Sequence, residues 1–204
     1  MNRTHEYQAF LRSRRSVRRF LSQPVPADVV QRILETAVWA PSAHNRQPWR
    51  FVVLATPGAR GRLADEMGEA FRGDLLADHL PPDQVQAQVE RSRRRILEAP
   101  VAILLCLDLT ALDRYPDERR QRAEHLMAVQ SVAMAGLNLL LAAHAEGLGG
   151  VWMCAPLFAP HVVSQALRLP ETWQPQGLVL LGYPAVVPSE RPRKPVEGVT
   201  IYLE

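Results

Sequence analysis

Residues Asp117–Glu146 are predicted to form one long helix, and its composition restricts the possible folds more than any other part of the chain. The stretch is rich in Ala, Leu and Met around most of its circumference and ends at Gly147. A helix that is apolar nearly all round must be covered on all sides. Because 204 residues suit a single domain (residues 1–204) with a sizeable core, we expect a second subunit to supply part of this cover.

The most membrane-like part of the same stretch runs from Leu126 to Ala143. It is interrupted by Gln130, Ser131 and Asn138, so a buried helix of a soluble protein explains it better than a bilayer span. Residues 1–6 contain no apolar core like that of a signal peptide. We therefore expect no membrane partner.

The two cysteines, Cys106 and Cys154, lie far apart in sequence among apolar neighbours. Their spacing fits neither a disulfide framework nor a metal site, which favours a reducing, cytoplasmic compartment. The neighbours of Cys154 are Trp152, Met153 and Ala155, and they indicate an inert buried thiol rather than a redox thiol.

The charge of the chain is modest but chemically one-sided. The formal net charge is +3, and all but one of the 24 cationic residues are arginine, the exception being Lys194. The apolar share of 47% argues against disorder. Arginine presents a planar fork that suits phosphate and carboxylate groups. Because acidic residues are interspersed and no aromatic side chains alternate with the arginines, nucleic-acid binding is the weakest interpretation.

Hydrophobic periodicity gives the element order ααβααβαβαβ, which predicts an α+β or α/β sandwich with helices on a central sheet. The apolar run Val101–Leu107 predicts a strand buried on both faces. Residues 73–82 are predicted to be a loop, acting as a lid, a subunit arm or an ordinary connection. Residues 108–116 are a second loop, and the proline-rich residues 184–195 an extended tail. Helices are predicted at residues 6–13, 26–40, 57–71, 83–98, 117–146 and 159–167, and strands at residues 49–54, 101–107, 150–154 and 178–183.

Basic residues cluster near both extremities, at Arg14–Arg19 and Arg191–Lys194. If the fold brings the two clusters together, they form a pocket for a small dianion such as a phosphate monoester. Each charge-assisted hydrogen bond contributes roughly 1.5–3 kcal/mol, so three arginines supply on the order of 5–9 kcal/mol if such terms add. Ser16 adds a hydroxyl donor. Taken alone, the first cluster is more often a solvated helix end.

A stiff polar turn lies between these clusters. Pro41 and Pro48 fix the backbone around Ser42, Asn45 and Gln47, whose side chains and amides suit the hydroxyls and the polar edge of a flat ring ligand. The alternative is an ordinary helix–strand connection.

A third segment, Gly147–Pro156, is glycine-rich at its start. Its glycines allow a ligand to approach the backbone closely, and an amide near Cys154 or Ala155 is available as a donor to such a ligand. The same glycines equally fit a helix C-cap followed by a strand.

Together these residues resemble the nitroreductase family over nearly the whole chain. Its opening signature is met by residues 14–20, its proline-serine turn by residues 41–49, and its C-terminal phosphate grip by Arg191 and Arg193. The resemblance implies a three-layer α+β sandwich, with a central, mostly antiparallel sheet flanked by helices. It also implies an intertwined homodimer with two FMN molecules in the subunit interface. The FMN contacts implied are Arg14, Arg15, Ser16, Arg18, Pro41, Ser42, Ala43, Asn45, Gln47, Met153, Cys154, Ala155, Arg191 and Arg193.

A narrower resemblance is to the C-terminal domain of the bifunctional enzyme of coenzyme F420 biosynthesis, an FMN-dependent reductase of the precursor dehydro-F420-0. In that family the position of Asp74 touches the deazaflavin. The resemblance implies substrate contacts from Asp74, Tyr115 and Trp152, with core packing as the alternative for Trp152. It is carried by residues 72–75, 78–81, 115–117, 123–125 and 147–149 together with Trp152.

No Ser–His–Asp or Cys–His set stands out, and no histidine pair has metal-ligand spacing, so the sequence predicts neither a catalytic side chain nor a metal site. A cofactor that carries the chemistry explains this absence. We expect a reduced donor to pass hydride to FMN N5 and a small-molecule substrate to take the electrons. The favoured acceptor is the dehydro precursor of coenzyme F420. The alternatives are a general NAD(P)H-dependent nitroreductase, ene or quinone reductase, and a flavin- or deazaflavin-binding protein without turnover.

Overall fold

The computed structural model describes residues 3–203 of the chain. This part contains ten regular elements and four short 3₁₀ turns. Their order, ααβααβαβαβ, is the predicted one. The helices are α1 (Arg3–Ser13), α2 (Ala27–Ala37), α3 (Pro57–Ala77), α4 (Pro82–Glu98), α5 (Glu118–Ala145) and α6 (Pro160–Leu167). The strands are β1 (Trp49–Leu54), β2 (Val101–Asp108), β3 (Gly149–Met153) and β4 (Trp173–Gly182). The 3₁₀ turns are Ala43–Asn45, Leu109–Ala111, Ala155–Leu157 and Val196–Gly198.

The strands form one antiparallel sheet in the order β1-β2-β4-β3. Every residue of β2 is buried, which confirms the strand predicted to be covered on both faces. Because side chains alternate along a strand, Ile103 and Leu105 pack with α2 and α5 on one face. Leu104 and Cys106 pack with α3 and α6 on the other. The result is the predicted three-layer α+β sandwich.

Helix α5 begins and ends on well-formed caps. The Asp117 carboxylate accepts from the Arg120 N–H at 3.0 Å, and Gly147 leaves the helix with a φ of +77°. The Leu148 N–H then donates back to the Ala143 carbonyl at 2.8 Å, as in a Schellman motif. The long helix is therefore confirmed to within one residue at each end.

One face of α5 remains uncovered in a single chain. Within residues 3–203 it is the one helix long and apolar enough to span a bilayer, and 44% of its apolar window is buried inside the protein. Leu126, Met134 and Leu137 are exposed.

The predicted loop at residues 73–82 is wrong. Helix α3 continues to Ala77 and α4 begins at Pro82, so the connection is much shorter than predicted and no long lid exists there. The prediction failed because four glycines give this helix a low intrinsic propensity. Packing overrides that propensity, since a Cβ added to Gly68 would lie 3.4 Å from Val89 of α4.

Strand β4 is also longer than residues 178–183, because it begins at Trp173. Pro175 interrupts the strand pattern in the sequence, yet it pairs with Cys106 where the register shifts between Leu105 and Cys106. A bulge tolerates a residue that has no N–H to donate.

The two extremities of the chain lie side by side at the edge of the sheet. Ser16 forms a parallel bridge with Gly150 of β3, and the Val17 N–H donates to the Gly150 carbonyl at 3.1 Å. Phe20 forms an antiparallel bridge with Pro184, just past the end of β4. Because the two segments run antiparallel, the basic cluster at Arg14–Arg19 lies near the one at Arg191–Lys194.

Candidate active site

Arginines from both extremities line one cavity of about 470 Å³, called the arginine cavity below. Five guanidinium groups and one carboxylate face it, so the cavity is strongly positive. Within residues 3–203, Arg14, Arg191 and Arg193 form no ion pair, and their donors suit an anion with several oxygens. The lining residues are Leu11, Arg12, Arg14, Arg15, Leu137, Leu141, Glu190, Arg191 and Arg193.

A histidine that the sequence analysis did not single out lies beside this cavity. The Nε2 atom of His144 is 2.7 Å from the Ser13 hydroxyl, and its ring stacks on Phe10 at a centroid distance of 5.0 Å. Burial, and then the positive charges of Arg14 and Arg15, lower the pKa of His144. The pKa of His144, near the end of α5, therefore depends on the charge of the arginine cavity.

A second cavity of about 270 Å³, called the cysteine cavity, lies beyond the end of β3. Arg18 and Arg95 place two positive charges on it, and Cys154 and Ala155 lie just past the last pair of the strand ladder. The sequence analysis missed Arg95 of α4. The run of three arginines that ends just before the buried Ile96 was the one sequence feature that pointed to it. The lining residues are Arg18, Arg95, Val151, Trp152, Met153, Cys154, Ala155 and Leu180.

One segment connects the two cavities. Arg14 lines the first cavity and Arg18 the second, and the bridge between Ser16 and Gly150 lies between them. An extended chain rises about 3.3 Å per residue, so the four steps span about 13 Å. An elongated ligand with an anionic end and a flat ring matches this arrangement.

The prediction of a buried, inert Cys154 is wrong. Its side chain is exposed, because β3 is an edge strand and nothing in residues 3–203 covers the residue that follows it. The Trp152 Nε1–H donates to the Cys154 sulfur at 3.2 Å. Cys106 is the inert thiol, since burial raises its pKa to about 12.

Two glycines after α5 allow close packing against neighbouring side chains. A Cβ added to Gly149 would lie 2.6 Å from the Cβ of Val17, and one added to Gly150 would lie 2.8 Å from Leu140. Real Cβ atoms do not approach so closely. This segment is a helix cap followed by a strand, and the expected flavin contacts from Cys154 and Ala155 stay a prediction.

Trp152 occupies a slot made by two other glycines. Its ring atoms lie 2.1 Å from a Cβ placed on Gly136 of α5 and 2.3 Å from one placed on Gly177 of β4. Its ring is thus packed between helix and sheet, while the residue also borders the cysteine cavity. Most of the Trp152 side chain therefore packs in the core, which is the alternative that the sequence left open.

The 41–47 turn does not join these cavities within one chain. It lies against the middle of α5, where the Ala43 N–H donates to the Ser131 hydroxyl at 3.3 Å. The three segments that were expected to meet are therefore only partly brought together. The turn residues that line neither the arginine nor the cysteine cavity are Pro41, Ser42, Ala43, Asn45 and Gln47.

The backbone of this turn is strained. His44, Asn45 and Gln47 have φ values of +51°, +53° and +49°, and such conformations cost of order 1–3 kcal/mol each. The Ser42 hydroxyl accepts from the Gln47 backbone N–H at 3.1 Å, and the Gln47 side-chain amide donates to Oδ1 of Asn45 at 3.2 Å. These bonds hold the turn in shape.

The three predicted substrate residues lie on three different cavities rather than around one ligand. Asp74 lines a cavity of about 430 Å³, called the acidic cavity, which shares Ala155 with the cysteine cavity. Tyr115 lines a cavity of about 640 Å³ at the start of α5, and the Arg120 guanidinium lies 5.2 Å from its ring centroid. Trp152 borders the cysteine cavity. Within one chain Trp152 and Asp74 therefore border adjacent cavities and Tyr115 a separate one, and the substrate contacts stay a prediction.

Within residues 3–203 the sandwich carries an arginine-lined cavity at the edge of its sheet and a smaller cavity beside it, an arrangement that suits an elongated cofactor with an anionic end. The chain matches the nitroreductase family over residues 11–183, so it belongs to the nitroreductase family. This membership confirms the predicted fold, the enzyme class and FMN as the cofactor.

Individual relatives agree with this assignment. The NADH dehydrogenase of Thermus thermophilus is 33% identical over 93% of this chain and 92% of its own length. A protein of Desulfovibrio desulfuricans, assigned as a nitroreductase and crystallised with FMN, is 27% identical, with a TM-score of 0.74 over 100% of this chain and 98% of its own. The NADPH:FMN oxidoreductase of Vibrio harveyi, crystallised with NAD+, is 21% identical and has a TM-score of 0.72, covering 97% of this chain and 76% of its own. The narrower resemblance to the coenzyme F420 enzyme stays a prediction.

Proposed function

We propose that this protein holds FMN with its phosphate in the arginine cavity and its ring in the cysteine cavity, and that it uses NAD(P)H to reduce a small organic acceptor. The observation that carries the proposal is the presence of Arg14 and Arg15 in the same cavity as Arg191 and Arg193. When bound, FMN supplies the redox chemistry, carrying a hydride equivalent between donor and acceptor.

The arginine cavity supplies the binding energy for the phosphate. A phosphate monoester carries nearly two negative charges and three acceptor oxygens. Arg14 and Arg193 have no ion-pair partner within residues 3–203, so they do not have to abandon an existing carboxylate to bind it. At roughly 1.5–3 kcal/mol per charge-assisted bond, two or three arginines supply about 3–9 kcal/mol, which corresponds to millimolar to micromolar affinity before any ring burial.

The cysteine cavity suits the ring. Arg18 and Arg95 put positive charge beside it, which favours the electron-rich form of a bound flavin. In the proposed complex the N–H groups of Cys154 and Ala155, which lie past the end of the strand ladder, donate to a ring nitrogen. Ser16, between the two cavities, offers a hydroxyl to the linking chain.

We also propose that two copies of the chain assemble through the uncovered face of α5. Leu126 and Leu137 are 57% and 51% exposed there, and Leu137 lines the arginine cavity. A second copy seated on this face would shield both the helix and the cofactor from water. The strained 41–47 turn lies against the same helix, so a second copy's turn could complete the site.

Two acceptors fit the proposal. The dehydro precursor of coenzyme F420 is suggested by the narrower resemblance, in which the position of Asp74 touches the deazaflavin, and Asp74 lines the acidic cavity next to the cysteine cavity. A nitroaromatic or quinone is favoured by the apolar side chains of the same cavity, among them Met67 and Phe71. NAD(P)H is the donor in both cases.

Anaerobic stopped-flow with the FMN-loaded protein tests the function. NADH or NADPH should bleach the flavin absorbance, and either the F420 precursor or a nitroaromatic or quinone should restore it. If nitroaromatics and quinones restore it and the precursor does not, the F420 assignment is wrong. If no reduced nicotinamide bleaches a bound flavin, the protein is a binder without turnover and the proposal fails.

A further inference from the structure

The acidic cavity has a combination of features that the FMN site does not use. Its walls include the apolar side chains Met67, Phe71, Leu75 and Phe158, and it encloses about 430 Å³. Phe158 is 81% exposed, so a large aromatic ring borders the cavity with little protein cover. A flat apolar molecule would bury such surface favourably.

The cavity adjoins the proposed ring site. Ala155 lines both the acidic and the cysteine cavity, and the turn that it begins continues to Phe158. A molecule in the acidic cavity therefore lies next to any ring bound in the cysteine cavity. Electron transfer by hydride requires such direct contact between donor and acceptor.

The charges on the two sides of Ala155 are opposite. The cysteine cavity carries Arg18 and Arg95, whereas both charged residues lining the acidic cavity are carboxylates, Asp74 and Asp78. These carboxylates lie four residues apart at the end of α3, and neither forms an ion pair within residues 3–203. Their charge is therefore available to a bound molecule.

We propose that the acidic cavity receives the aromatic ring of the electron acceptor and that Asp74 and Asp78 select uncharged or cationic acceptors against anionic ones. This inference rests on the proposed function, because it requires FMN in the cysteine cavity. Two unit charges about 7 Å apart, at an effective dielectric constant of about 40, interact by enough to change binding by several-fold to about tenfold per carboxylate. Two carboxylates together should produce a preference of at least tenfold.

The test is a series of nitroaromatic acceptors that differ in charge, namely 4-nitrobenzoate, methyl 4-nitrobenzoate and 4-nitrobenzyl-trimethylammonium. We expect kcat/KM of the FMN-loaded protein to be lowest for the anion. In the double variant Asp74→Asn, Asp78→Asn, the ratio of ester to anion should fall by about tenfold. Comparing ratios between proteins cancels the intrinsic difference in reactivity among the acceptors.

Glu66→Gln is the matched control, since Glu66 is an exposed acid of the same helix that does not line the cavity. It should leave the ratio unchanged. A second variant, Phe158→Ala, should raise KM for all three acceptors without changing FMN occupancy. An unchanged ratio in the double variant, or a wild-type preference for the anion, overturns the inference while leaving the proposed function intact. Failure of every acceptor to reoxidise reduced, FMN-loaded protein counts instead against the proposed function.

Discussion

Arg15 and Glu190, which come from opposite extremities of the chain, form an ion pair with 3.6 Å between Nη2 and Oε2. The pair continues the antiparallel course set by the bridge between Phe20 and Pro184. Glu190 is also the one carboxylate that lines the arginine cavity. A bound phosphate must therefore compete with Glu190 for Arg15.

Replacing this carboxylate should strengthen cofactor binding. Glu190→Gln removes the negative charge nearest to the phosphate, so we predict that the Kd for FMN falls several-fold. Unfolding should change little, because the Glu190 side chain is 81% exposed and exposed pairs contribute little stability. Fluorescence titration of the apoprotein with FMN measures the change. Glu197→Gln, an exposed acid farther along the tail, is the control, and weaker binding by Glu190→Gln would show that Glu190 instead positions Arg15.

The two thiols should react at very different rates. Cys154 is exposed and lines the cysteine cavity, whereas burial raises the pKa of Cys106 to about 12. A chromogenic disulfide reagent should label one thiol per native chain and two in denaturant. FMN should protect Cys154 from labelling. Equal labelling with and without FMN would place the ring outside the cysteine cavity.

Gly149 should be required for docking the N-terminal segment. Gly149→Ala places a Cβ 2.6 Å from the Val17 Cβ, and overpacking of this kind costs typically 1–3 kcal/mol. We predict lower stability in urea and weaker FMN binding, with partial recovery in the double variant Gly149→Ala, Val17→Ala. Gly61→Ala is the control, because its Cβ meets nothing within 4 Å in α3. It should stabilise the protein by about 0.5–1 kcal/mol.

The apoprotein should lose stability in acid partly through His144. Its pKa in the folded state is lowered by burial and by Arg14 and Arg15, so the unfolded chain binds a proton at a higher pH than the folded chain does. The penalty is absent well above the ordinary histidine pKa near 6.5, and it grows as the pH falls through that value towards the lowered pKa. We predict that the unfolding free energy of His144→Gln depends less on pH than that of the wild type over this window.

Urea titrations of both proteins across about pH 5–8 provide the comparison. Phosphate binding offsets the charges of Arg14 and Arg15, so FMN should reduce the difference between the two proteins. If FMN leaves the difference in pH dependence between the two proteins unchanged, the charge of the arginine cavity does not affect His144.

Local patterns explain why so much of the fold could be predicted. The helical period of α5 and the apolar run of β2 are properties of consecutive residues, and both elements were predicted nearly to their ends. The extension of α3 to Ala77 and of β4 to Trp173 depends instead on contacts between distant elements, which outweigh glycines in one case and Pro175 in the other.

The candidate site shows the same division. The basic clusters could be predicted as phosphate ligands from residue type. Of their arginines, Arg14, Arg15, Arg191 and Arg193 line one cavity, whereas Arg18 lines the other. Strand order is not a local property, so the exposure of Cys154 after an edge strand was not predictable. For the same reason, neither Arg95 at the cysteine cavity nor the separate position of the 41–47 turn was predicted.

The central claim is that guanidinium groups from both extremities bind the phosphate of FMN. The most direct measurement compares the affinities of FMN and riboflavin, which differ only in that phosphate, for the wild type and for Arg14→Ala, Arg193→Ala. Arg119→Ala, an exposed arginine far from the cavity lining, is the control.

We predict that the wild type prefers FMN by at least about a hundredfold and that the double variant loses most of this preference, since each charge-assisted bond is worth roughly ten- to hundredfold. The control should keep the preference, and the affinity for riboflavin should be similar in all three proteins. An undiminished preference for FMN in the double variant, with its fold intact, would contradict the claim.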